Sequence, residues 1–199
     1  MKVPSLWFAV QVLPYAFLAW AATALGWRLA SPQAGAPAAL AIAILGLLSF
    51  TALLALRARP DWLLAALLAF ALLAGLGLGS AHPGGAPLFS LCPSLATVAV
   101  ILISGAAAPR LGRRLWKLQR PLWALSLAFL TAWAALGWLR GGPPAPRLWA
   151  AAGTALFGGH LSAWFAGLPA DGDGREHAAG FYLLTLSLIL LARLAFPLA

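Results

Sequence analysis

Apolar residues make up 63% of the 199-residue chain and charged residues 9%, with a mean hydropathy of +0.92. So few charges cannot wet the surface of a water-soluble domain, and the composition is that of an integral membrane protein. A formal charge of +9 would suggest nucleic acid in a soluble protein, but the thirteen Lys and Arg lie almost entirely between apolar runs. They read as topology signals that touch anionic lipid headgroups, with no nucleic-acid partner.

A spanning helix needs roughly 20 apolar residues, since a hydrocarbon core of about 30 Å is crossed at about 1.5 Å per residue. The chain has room for about seven such spans. The first is expected at 6–27, with Pro14 bending it. The first segment is long enough to be retained, and it is expected to be a span rather than a removable signal peptide. The second span is expected at 38–56, ending at RARP, and the third at 62–80, opened by Pro60 and Asp61. R-P-D-W (59 to 62) returns loosely as R-P-L-W (120 to 123) before the fifth span. In both, Pro suits a first helical turn and Trp an interface, so similar answers to one interfacial problem explain the echo better than a true repeat.

The third span ends in GLGLGS (75 to 80), and Gly75 and Gly79 are expected to let a neighbouring helix approach closely. After a turn at 81–87 the fourth span is expected at 88–108, followed by the most basic link, PRLGRRLWKLQRP (109 to 121). Its cations, Arg110, Arg113, Arg114, Lys117 and Arg120, are the expected headgroup contacts. Further spans are expected at 122–139, 148–168 and 178–197. Cys92 reads as ordinary packing, and no Cys/His cluster with metal-ligand spacing is present in the sequence.

With the N-terminus inside, nine cations fall on the inner side: Lys2, Arg57, Arg59, those of the basic link, and Arg175. Four fall outside or near the outer end of the last span: Arg28, Arg140, Arg147 and Arg193. This bias predicts an all-α, seven-span bundle with N-terminus in and C-terminus out, with Arg193 snorkelling to the outer interface. Short loops and the lack of a targeting signal point to a bacterial inner membrane.

Polar residues concentrate in the last third. Asp171, Asp173 and Glu176, three of four carboxylates, lie in ADGDGREHA (170 to 178), expected to be a solvated cytoplasmic loop that does not meet a calcium-loop pattern. His160 follows Gly158 and Gly159, expected to be packing glycines, in GTALFGGHLSAWFAG (153 to 167). A polar residue at membrane depth is a functional candidate by default. His160 reads either as a structural histidine bonded to a neighbouring hydroxyl or as part of a proton relay or ion path. Haem ligation would need a second mid-membrane histidine.

LLAFALLAGLGLGS (67 to 80), LFGGHLSAWFAG (156 to 167) and AAGFYLLTLSLILLARL (178 to 194) resemble bacterial members of the Bax inhibitor-1 family. Phe70, Gly75, Leu78 and Gly79 fit that family's third-span pattern, and Leu156, Phe157 and Gly159 its sixth-span pattern. Phe181, Tyr182, Leu183, Ser187 and Leu188 fit the seventh approximately. The resemblance implies a seven-span protein modulating ion leak or membrane-protein quality control, the latter through binding a membrane-bound protease. Calcium-leak members use two aspartates in the sixth and seventh spans as a proton-sensitive gate. Trp164 and Leu184 stand at those positions here, so the resemblance implies a member without that calcium and pH switch.

Two alternatives come from other classes. A small His-dependent transporter would bring water to His160 between discontinuous helices. A rhomboid-like intramembrane hydrolase would pair Ser104 with His177, although Leu102 replaces the glycine expected before the serine. The leading expectation is no enzyme and no cofactor.

Overall fold

A computed structural model describes residues 7–30, 36–56, 59–81, 91–140, 145–168 and 174–195. Every described element is helical. A π-helical turn, Phe8–Val12, runs into α1 (Leu13–Leu29), followed by α2 (Ala36–Ala55), α3 (Pro60–Ala81) and α4 (Leu91–Ala107). A second π-helical turn, Ala108–Gly112, leads to α5 (Arg113–Trp116), α6 (Gln119–Arg140), α7 (Pro146–Ala166) and α8 (Gly174–Ala195).

Three helical stretches among the described residues are long and apolar enough to cross a membrane: Phe8–Leu29, Asp61–Ser80 and Pro93–Leu111. The protein is therefore a helical membrane protein. Large apolar side chains on these stretches stand open on one side, Phe17 at 66% and Leu102 at 67% exposure among them. Such faces are stable only against lipid or protein.

Proline sets several helix starts. Pro60 opens α3 and Pro121 lies in the first turn of α6, where a missing N–H has no partner to lose. Pro14 falls in the first turn of α1 just after the π-helical turn, whose last N–H, on Leu13, bonds the Phe8 carbonyl. The irregularity expected at Pro14 is thus taken up by a wider turn ahead of it. The basic link is a helical extension of α4 through the second π-helical turn and α5, where the sequence suggested only a connection.

The chain divides into two compact units, Met1–Leu88 with Pro169–Tyr182, and Phe89–Leu168 with Leu183–Ala199. In the first, Val12 at the end of the π-helical turn and Ala16, Ala19, Thr23 and Gly26 of α1 form one buried stripe, while Leu63, Leu67, Ala71, Gly75 and Gly79 form one of α3. Spacings of three and four residues keep each stripe on one face. Thr23 lies at Gly75 and Trp27 at Gly79, so α1 and α3 run parallel. Ile42 lies at Gly77 and Phe50 at Phe70, so α2 runs against them. Arg175 meets Asp61 and Tyr182 meets Phe70, which makes the start of α8 parallel to α3.

In the second unit Ser104 meets Gly158 and Trp116 lies at Gly167, so α4 and its extension run parallel to α7. Ser126 meets His160 and Phe129 meets Trp149, so α6 is antiparallel to α7. The α8 helix is buried around most of its circumference, Leu184, Thr185, Leu188, Ile189 and Leu191 lying on several faces. A helix buried on several faces belongs inside the protein.

Candidate functional site

Among the described residues His160 is the most enclosed titratable group of the second unit, 1% exposed on α7. It stands six residues before the helix ends at Ala166, about 9 Å from that end. It is four residues past the helix midpoint at Leu156, and so nearer the middle of its helix than the end. Ser126, itself buried, brings its hydroxyl to 3.4 Å from Nδ1, and the Trp123 ring meets the imidazole edge-on at 4.3 Å between centroids. Trp123, placed by the sequence at an interface, is 44% exposed and also forms one wall of the histidine site.

Two residues earlier lies the Gly158 carbonyl, which accepts from Ser162 Oγ at 2.9 Å within α7 and from Ser104 Oγ at 3.0 Å across from α4. The glycine explains the second bond, since a Cβ at Gly158 would press on Val100 and keep α4 at a greater distance. Gly159 has only ordinary contact with Leu115, so of the two glycines Gly158 makes the closer approach. Ser126 and Ser104 were the partners that sequence reasoning missed or read otherwise. Their signal is a hydroxyl inside an apolar run, which must find an acceptor at membrane depth.

Trp164 and Leu184, where the resemblance would place the aspartates of calcium-leak members, belong to α7 and α8 of the same unit. Trp164 packs edge-on against Phe165, and Leu184 is 1% exposed. Neither side chain can ionise or ligate a cation.

The first unit holds a second polar site that the sequence did not single out. Tyr182, fully buried, places Oη 2.6 Å from Thr23 Oγ1. Trp20 and Phe70 meet its ring edge-on at 5.2 and 6.4 Å. At the start of α8, Arg175 pairs with Asp61 and lies over the Tyr15 ring at 5.7 Å. His177 stacks edge-on with Trp7.

Glu176 does not lie in a loop. Helix α8 begins at Gly174, four residues before the expected span, and puts Glu176 in its first turn, where a carboxylate faces the positive end of the helix dipole. The early start fits the close approach of Gly174 to the Gln11 backbone, which a Cβ would block. Asp171 and Asp173 lie outside the described residues. No group of three or more His, Cys, Asp or Glu that could hold a metal ion occurs among the described residues. Ser104 belongs to the second unit and His177 to the first, each with the contacts given above.

No family model, no curated protein and no solved structure matches the chain, so its resemblance to the Bax inhibitor-1 family stands on the quoted motifs alone.

Proposed function

We propose that this chain is a seven-span, Bax-inhibitor-like protein of a bacterial inner membrane that acts by binding other membrane proteins, a membrane-bound protease among them, and not by passing ions. The observation that carries this reading is the enclosure of His160, 1% exposed, bonded to Ser126 and walled by Trp123. An ion path needs water or a chain of exchangeable groups at the histidine. A ring sealed by an indole and a serine serves packing instead. The apolar Trp164 and Leu184 support the same reading, since neither can gate by protonation.

Helix directions support the seven-span topology. In the first unit α1 and α3 run parallel with α2 reversed, as odd and even spans must. In the second, α4 runs parallel to α7 and against α6's direction through α7. The helices α2, α6, α7 and α8, of 20, 22, 21 and 22 residues, are each long enough for about 30 Å of hydrocarbon.

The test is reconstitution in liposomes, with calcium and proton flux measured at about pH 6 and about pH 8 for the wild type and His160→Ala. The expected result is no flux above empty liposomes at either pH. Flux that depends on pH and disappears in the variant would overturn the proposal and make His160 a gate. Where flux is absent, cross-linking in native membranes identifies the bound protein.

A further inference from the structure

We infer that the segment from Arg110 to Arg120, which comprises the end of the α4 extension and the turn into α6, is an interfacial shelf that binds the phosphate headgroups of anionic phospholipids, held in place by the wedge of Trp116 against Gly167. The inference holds whether or not the protein conducts ions. Three independent features carry it.

The first is charge. All four carboxylates, Asp61, Asp171, Asp173 and Glu176, belong to segments of the first unit, so the second unit contains none. Five of its cations fall between Arg110 and Arg120, with no carboxylate in their own unit to neutralise them. Counter-charge of the opposite sign has to come from outside that unit, and at a membrane surface the abundant source is the anionic headgroup.

The second is pattern. Arg110, Arg114 and Lys117 repeat at steps of four and three residues, and Leu111, Leu115 and Leu118 repeat one residue later at the same steps. Across the π-helical turn and α5 a step of four keeps Arg110 and Arg114 on one side and Leu111 and Leu115 on the adjacent one, and Lys117 and Leu118 follow in the turn that leads to α6. That is the layout of a segment lying in the headgroup boundary, with cations toward phosphate and the exposed Leu111 and Leu118 toward acyl chains. Arg110, Arg114, Lys117 and Arg120 are all exposed, as are Leu111 at 51% and Leu118 at 52%.

The third is anchorage. Leu115 rests on Gly159 of α7, and Trp116 packs so closely on Gly167, the residue capping the α7 C-terminus, that a Cβ there would overlap its ring. Leu115 and Trp116 thus hold the segment that carries the cations in a fixed position at the end of α7. Fixed cations can bind a phosphate as a site, where mobile ones only attract it.

The experiment titrates the full chain, purified in neutral detergent, with phosphatidylglycerol or phosphatidylcholine and counts retained lipids by native mass spectrometry. The triple variant Arg110→Gln, Arg114→Gln, Lys117→Gln should lose affinity for phosphatidylglycerol roughly a hundredfold, taking about 1 kcal/mol per cation, with phosphatidylcholine unchanged. A second triple of equal charge, Arg28→Gln, Arg140→Gln, Arg147→Gln, should lose less than about fivefold, or roughly the effect of one cation. Gly167→Ala, which keeps every charge but displaces Trp116, should also weaken phosphatidylglycerol binding severalfold. Equal losses in the two triples would overturn the inference in favour of diffuse charge attraction. An unchanged affinity in Gly167→Ala would overturn the anchored shelf. Displacement of bound phosphatidylglycerol by inorganic phosphate or by a short oligonucleotide at matched phosphate concentration would overturn the lipid as its ligand.

Discussion

Thr23 and Tyr182 are 159 residues apart in the chain, yet their hydroxyl oxygens stand 2.6 Å apart between α1 and α8. The Thr23 hydroxyl donates its single hydrogen to the Ala19 carbonyl at 3.0 Å, which leaves its oxygen as the acceptor and makes Tyr182 the donor. The pair is therefore a directed bond that sets the rotation of α8 against α1. In hydrocarbon-like surroundings such bonds contribute about 1 kcal/mol, because an unbonded hydroxyl there finds no water.

Tyr182→Phe keeps the ring among Trp20 and Phe70 and removes only the donor, so it should cost about 1 kcal/mol. Tyr182→Ala, which also empties a fully buried aromatic site, should cost about 3 kcal/mol or more. Reversible unfolding in mixed detergent micelles measures both. A double-mutant cycle with Thr23→Val should show coupling, whereas strictly additive losses would mean that the bond contributes nothing of its own.

Three glycines of the first unit make a sharper series, because they differ in what a methyl group would meet. At Gly75 it would overlap the Thr23 carbonyl, and at Gly26 on the facing helix the Leu72 carbonyl. Neither backbone can move without separating α1 from α3. At Gly46 of α2 a methyl group would meet nothing within 4 Å. Gly75→Ala and Gly26→Ala should each destabilise by about 1–3 kcal/mol, while Gly46→Ala should be neutral or stabilise by up to about 1 kcal/mol through helix propensity. Equal effects at all three positions in the same unfolding assay would refute the close packing of α1 on α3.

These residues also mark what could be read before the fold was known. Helix positions came from the length of apolar runs, and Pro60 and Pro121 located two starts within a turn, because a missing N–H is tolerated only there. Gly75 and Gly79 were identifiable as small residues four apart on one face. Gly26 was not, because a lone glycine in an apolar run carries no spacing signal. The pairing of Thr23 with Tyr182 was hidden for a different reason. In a chain whose helices are apolar on nearly every face, periodicity does not separate lipid-facing from protein-facing sides. Only the rule that intramembrane hydroxyls need partners remained, and it names the residues without naming the pairs. The early start of α8 was concealed by Arg175, Glu176 and His177, whose polarity resembles a loop although they form a helical first turn.

At His160 the two partners should be unequal. Ser126→Ala removes one long hydrogen bond, so its cost should stay below about 1 kcal/mol. His160→Ala empties a site that is 1% exposed and takes away the surface against which Trp123 packs, so it should cost about 2–3 kcal/mol. Unfolding midpoints of the purified variants decide the order. A larger loss in Ser126→Ala would mean that the hydrogen bond, and not the packing, holds this site together.

The ion pair between Arg175 and Asp61 gives the topology a direct test. Asp61 opens α3 and is 87% exposed, so the pair adds no more than about 1 kcal/mol to stability and Asp61→Asn should barely shift unfolding. Its value lies in position, because two paired side chains at helix starts have to lie on one side of the membrane. In a Cys92→Ser background, Asp61→Cys and Arg175→Cys should both be labelled by a membrane-impermeant maleimide from the cytoplasmic face, and Arg28→Cys or Arg147→Cys only from the opposite face. That pattern follows from the nine-to-four cation bias together with the parallel course of α3 and the start of α8. Labelling of Asp61→Cys and Arg175→Cys from opposite faces would break the pair and the seven-span order at once. Labelling of both from the outer face would keep the fold and invert the orientation.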